Sequence, residues 1–124
     1  MLFKKYNANP KGKKTTDCVI RAISKALNKK WEDVAEELFK LSKEMYSTQV
    51  STDVYTKYLE KYKTISVKYD TPKGKKRYTI KDVCDMKGTY IIKMARHLSV
   101  VKDGHLYDTW DCSKKSAYKI WKIK

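Results

Sequence analysis

Long apolar runs are missing from these 124 residues: nowhere does the chain approach the roughly 18 consecutive apolar residues that a membrane span needs. Met1-Leu2-Phe3-Lys4-Lys5 has no apolar stretch behind its charges, so neither an export leader nor a membrane partner is expected, and the protein reads as cytoplasmic. Glycine and proline are scarce, at four and two residues, which sets aside collagen-like and linker-like chains. Acids are outnumbered, 14 against 29 Lys plus Arg, leaving a formal charge of +15. Such a surface attracts polyanions without naming one. The cysteines, Cys18, Cys84 and Cys112, are odd in number and far apart, a pattern of a reducing compartment rather than of a disulfide framework. What the chain does contain is a 41% hydrophobic fraction with ten Tyr and three Trp, enough for one core. A single domain, 1–124, is expected.

The hydropathy pattern changes character part-way along. After a polar, basic lead-in from Tyr6 to Lys14, the residues Val19, Ile20, Ile23, Ala26 and Leu27 recur at helical spacing behind the cap candidates Thr15, Thr16 and Asp17, which predicts a helix over 17–28. A second amphipathic helix is predicted over 31–45, and a third, capped by Ser51, Thr52 or Asp53, carries Val54, Tyr55, Tyr58, Leu59 and Tyr62. Beyond Lys63 the period becomes two. Strands are predicted at 64–69, 89–95, 97–102, 105–110 and 117–123, with a basic turn over 70–77 and one capped helical turn at 79–83. The pair Asp103-Gly104 is a type I′ hairpin signal. Helices first and a meander second argue an α+β domain, its N-terminal helices packed on one face of a C-terminal antiparallel sheet.

Cys18 falls in the first turn of the first helix, where aligned peptide dipoles and unpaired N–H groups favour an anion and lower a thiol pKa. The plain alternative is a small buried residue. In the hairpin, a two-residue Asp103-Gly104 turn pairs 102 with 105, 101 with 106, 99 with 108 and 97 with 110, and paired residues share a face. His97 and Asp108 are then diagonal neighbours, close enough for a hydrogen bond that fixes the imidazole tautomer, with Trp110 shielding it. Asp111 points to the other face, and His105 shares its side with Tyr107 and Thr109.

The segment Asp17-Cys18-Val19-Ile20-Arg21-Ala22-Ile23, followed later by His97-Leu98-Ser99-Val100-Val101 and Gly104-His105-Leu106-Tyr107-Asp108, resembles the nucleophile helix, His strand and acid strand of papain-like cysteine peptidases, in the same order. The detail is most similar to small phage and bacterial members of that superfamily. The resemblance rests on these two anchor regions and leaves residues 45–88 unmatched. It implies a minimal papain-like fold with Cys18 as nucleophile, His97 as base and Asp108 as orienter. It also implies a peptide or protein substrate and no cofactor. Where such enzymes carry an oxyanion-stabilising Gln before the nucleophile, this chain has Lys11, Gly12, Lys13 and Lys14, so Asn7 or Asn9 is the expected donor beside the Cys18 backbone N–H. Amide hydrolysis and transfer to an amine acceptor use the same groups and stay open.

A second reading is a catalytically inactive basic module that binds nucleic acid or a host protein. Lys11, Lys13 and Lys14, and Lys73, Lys75, Lys76 and Arg77, flank turns where they can meet phosphates, with Tyr69 and Tyr78 near the second group. No helix-turn-helix, zinc-finger or RNA-recognition signature accompanies them. A zinc site from Cys84, Cys112, His97 and His105 lacks the paired spacing such ligands show, so no metal is expected and Cys84 and Cys112 read as packing residues.

Overall fold

The computed structural model describes residues 2–124. The elements in chain order are β1 (Leu2–Lys5), α1 (Cys18–Leu27), α2 (Trp31–Met45), α3 (Thr52–Tyr58), β2 (Lys63–Ile65), β3 (Lys68–Thr71), β4 (Gly74–Arg77), α4 (Ile80–Cys84), β5 (Thr89–Met94), β6 (His97–Lys102), β7 (His105–Asp108) and β8 (Lys119–Lys122). The fold is α+β. Six strands form one sheet in the order β1-β7-β6-β5-β8-β2, and β3 and β4 form a separate two-stranded ribbon.

Alternation along the strands divides the apolar residues into two cores. On one face Ile91, Leu98, Val100 and Trp121 pack against α1, α2 and α3, whose buried stripes include Ile23, Leu38 and Val54. On the other, Tyr90, Ile92, Val101, Leu106 and Ile120 pack against Ile80 and Val83 of α4 and against Cys84, Cys112 and Ala117. The long helices do share one face, as expected, but the opposite face is covered too. That is why β5 is buried along nearly its whole length instead of alternating.

Other departures have local causes. The sheet is mixed, because β1 runs parallel to β7, with Leu2 beside His105 and Lys5 beside Asp108. A parallel partner reached only after a long crossover leaves no signal in a four-residue segment. The strand expected at 64–69 is broken: the Ser66 hydroxyl donates to the Lys68 carbonyl and accepts from the Lys68 N–H, so the chain leaves the sheet and starts the ribbon. The basic turn expected at 70–77 is consequently a hairpin with only Pro72-Lys73 at its tip. Strand β7 ends at Asp108, two residues early, because the Asp108 carboxylate takes the Thr109 N–H at 2.7 Å and turns the chain. The hairpin between β6 and β7 has the expected register, Lys102 to His105, Val101 to Leu106 and Val100 to Tyr107, over positive φ at Asp103 and Gly104. No helix is long and apolar enough to cross a membrane among the described residues.

Candidate active site

Cys18 is the first residue of α1, and no side chain caps that helix: Asp17 occupies the N-cap position, yet its carboxylate makes no cap hydrogen bond. The carboxylate instead accepts from Arg21 Nε at 2.8 Å, Trp31 Nε1 at 3.0 Å and Asn9 Nδ2 at 3.2 Å. The start of α1 therefore keeps its N–H groups free of side-chain caps and its positive dipole end beside the Cys18 thiol.

His97 opens β6 and shares a sheet face with Asp108 near the end of β7, as the hairpin register requires. Its Nε2 lies 2.6 Å from Asp108 Oδ2. An ionised carboxylate only accepts, so Nε2 carries the proton and Nδ1 is left for the thiol. The Trp110 ring sits 5.2 Å from the imidazole, centroid to centroid, at a tilt of 52°, and is itself 43% exposed.

Thiol and imidazole both line a cleft of about 410 Å³ at the β5–β6 end of the sheet, walled by Val50, Thr52 and Tyr55 on one side and by Lys93, Met94 and Arg96 on the other. Arg96 is held at φ 55° in the two-residue turn between these strands, a left-handed conformation uncommon for a residue with a side chain. The charge state follows from the contacts. Burial pushes the Cys18 thiol up, but hydrogen bonds from His97 and the Leu98 backbone, with the charges of His97 and Arg21, bring it below its ordinary value. Burial works against a charged His97, and hydrogen bonds to Asp108, Cys112 and Cys18 outweigh it, raising the imidazole to about 11. Asp108 would also be raised by burial and is held low by His97, Ser99 and the Thr109 N–H. Together these contacts favour the charged forms of Cys18, His97 and Asp108.

Asp108 is held from several directions. The Ser99 hydroxyl and, at 3.7 Å, the Cys112 thiol donate to Oδ2, while Arg21 Nη1 reaches Oδ1 at 3.3 Å and also meets Thr109 Oγ1. Sequence reasoning missed Arg21, Asp17, Ser99 and Cys112 as parts of this cluster. The i,i+4 spacing of Asp17 and Arg21 was visible, but their link to Asp108 spans most of the chain.

Asn7 and Asn9, the expected oxyanion donors, do not line the cleft. Their amides build the lead-in loop: Asn7 Nδ2 donates to the Lys13 carbonyl at 3.2 Å and Asn9 Nδ2 to Asp17. Of the four zinc candidates, His97 and Cys112 come together. With Asp108 they form the only group of three His, Cys or acidic side chains within 4.8 Å of one another among the described residues. Cys84 packs in the core of α4, where burial raises its thiol to about 11, and the His105 ring faces Tyr107. The chain has no significant match to any family model, curated protein or solved structure.

Proposed function

We propose that this protein is a cysteine-dependent acyl hydrolase or acyl transferase of papain-like type, with Cys18 as nucleophile, His97 as proton carrier and Asp108 as the group that orients His97. The observation that carries the reading is the shared cleft of Cys18 and His97 with the 2.6 Å bond from His97 Nε2 to Asp108 behind it. The Cys18 thiolate attacks an acyl carbon, and the C–N bond breaks as the His97 imidazolium gives its proton to the departing amine. Water, or an amine acceptor, then attacks the thioester while His97 takes the incoming proton, and the C–S bond breaks to release the acid or amide and the Cys18 thiolate. With Asn7 and Asn9 engaged in the loop, the oxyanion donors are backbone N–H groups of the uncapped first turn of α1, that of Cys18 included. A peptide or protein amide is the substrate class, and the resemblance of the Cys18 and His97 segments to small phage and bacterial members of the superfamily supports it.

The test needs no substrate. Alkylation of each cysteine is followed by mass spectrometry across pH in the wild type and in His97→Ala. Cys18 is expected to react well below the ordinary thiol value of about 8.5 and to lose that reactivity in His97→Ala, while Cys84 stays inert. A Cys18 that titrates ordinarily in both proteins overturns the proposal.

A further inference from the structure

The ribbon of β3 and β4 stands apart from the sheet. It packs on its own two strands and makes no more than marginal contact with any other named element. Its base is fastened: the Tyr78 N–H donates to the Val67 carbonyl at 2.9 Å, Arg77 Nη1 to the Ala117 carbonyl at 2.9 Å, and the Arg77 guanidinium lies over the Tyr118 ring. An isolated two-stranded hairpin is marginal in water, so this anchoring is what holds the arm in shape.

The arm is cationic on both faces and at its tip. Register pairs Lys68 with Arg77 and Asp70 with Lys75 on one face, and Tyr69 with Lys76 on the other, while Lys73 sits in the turn. Lys68, Lys73, Lys75 and Lys76 are all exposed. Asp70 is the only acid among the ten residues Lys68 to Arg77, and it pairs with Lys75 at 3.2 Å in the open. Exposure makes that ion pair weak.

From this shape and charge we infer that the ribbon is a docking arm for double-stranded DNA, lying in the major groove with its lysines toward the phosphates of both strands. A B-form major groove, about 12 Å wide, admits a two-stranded ribbon. The A-form major groove of duplex RNA is too narrow. Single strands are usually held by aromatic faces on which bases stack. Here the Tyr69 and Tyr78 rings, 4.7 Å apart and tilted by 34°, pack against each other instead. The arm is independent of the thiol chemistry, since none of its residues lines the Cys18–His97 cleft.

The experiment is fluorescence anisotropy of a labelled mixed-sequence duplex of about two helical turns, titrated with protein between about 50 and 200 mM salt. Four proteins are compared: the wild type, the ribbon variant Lys73→Ala/Lys75→Ala/Lys76→Ala, its Lys→Arg counterpart, and a control with the same charge loss at the N-cap of α2 and along it, Lys30→Ala/Lys40→Ala/Lys43→Ala. Each phosphate contact contributes about 0.9 to the slope of log affinity on log salt, so the ribbon variant is expected to lose close to three from that slope and the control almost nothing. Lys→Arg at the same three ribbon positions should keep the slope. An equal loss in ribbon and control variants, or none in either, overturns the inference and leaves the lysines as guards against edge pairing. Ribbon-dependent binding of the single strand as tight as that of the duplex overturns the groove assignment.

Discussion

Arg21 bridges two buried acids from opposite ends of the chain: its Nε lies 2.8 Å from Asp17 Oδ1 and its Nη1 3.3 Å from Asp108 Oδ1. Asp17, which precedes Cys18, and Asp108, which bonds His97, therefore share one cation. Helix α1 and strand β7 are locked in the geometry that brings Cys18 to His97.

Removing that cation should be costly. Arg21→Met leaves Asp17 and Asp108, each 3% exposed, without their common counter-ion. Breaking a buried ion pair on one side costs about 3–5 kcal/mol, and urea unfolding should show a loss of that order. Arg21→Lys should recover only part, because a point charge cannot span both carboxylates as the guanidinium fork does. A loss for Arg21→Met below about 1 kcal/mol, the size of a solvated surface pair, would contradict the bridging role.

Stability should fall on the alkaline side of neutrality. His97 is raised from 6.5 to about 11 in the folded protein, so the native state holds a proton that the unfolded chain releases. That stabilisation is complete below pH 6.5 and is lost as the pH climbs toward about 11. Asp108 acts in the opposite sense: its lowered value stabilises the fold above pH 3.8 and is lost on acidification below that. Urea midpoints measured in a Cys18→Ala background, which removes the thiol from the linkage, should decline above pH 6.5. The same series in His97→Gln should lose that decline, and an unchanged alkaline slope would assign it to another group.

Asp108→Asn should separate orientation from fold. The amide keeps the shape of the carboxylate but not its charge, so His97 loses its largest upward influence and Cys18 its imidazolium partner. Alkylation of Cys18 near pH 6 should slow by about tenfold or more, the equivalent of one pKa unit. Ser99→Ala removes a buried donor to the same oxygen and leaves the charge in place. It should cost about 1–3 kcal/mol in stability while shifting the alkylation profile far less. Equal shifts in the two variants would show that hydrogen-bond number, and not charge, sets the state of His97.

The legible part of this site was the part with a period. The hairpin turn at Asp103-Gly104 fixed the register, and register alone placed His97 and Asp108 on one face, where the 2.6 Å bond is found. Helical spacing put Cys18 at the start of α1. Contacts closed by the tertiary fold were not legible: Arg21 to Asp108 is a separation of 87 residues, and the parallel pairing of β1 with β7 joins the two ends of the chain. Side chains that redirect the backbone also escaped the pattern, as Ser66 does in ending the strand at Ile65 and Asp108 in ending β7. The lead-in asparagines misled for the same reason: their amides hold Lys13 and Asp17, partners that composition does not reveal.

Helix α4, which packs on the face of the sheet opposite the long helices, offers a way to perturb the fold without altering a residue of the cleft. Helix α4 is opened by a capping box: the Asp82 N–H donates to Thr79 Oγ1 at 3.3 Å, and the Thr79 N–H returns a bond to Asp82 Oδ2 at 2.8 Å. The box seats Ile80 and Val83, both fully buried, against the second core. Thr79→Ala removes the side-chain half of it and should lower stability by about 0.5–2 kcal/mol in urea unfolding. Neither Thr79 nor Asp82 lines the Cys18–His97 cleft, so the pH profile of Cys18 alkylation should stay where it was. A profile that moves with Thr79→Ala would mean that the packing of the second core, which shares its sheet face with His97, Ser99 and Asp108, sets how firmly His97 is held.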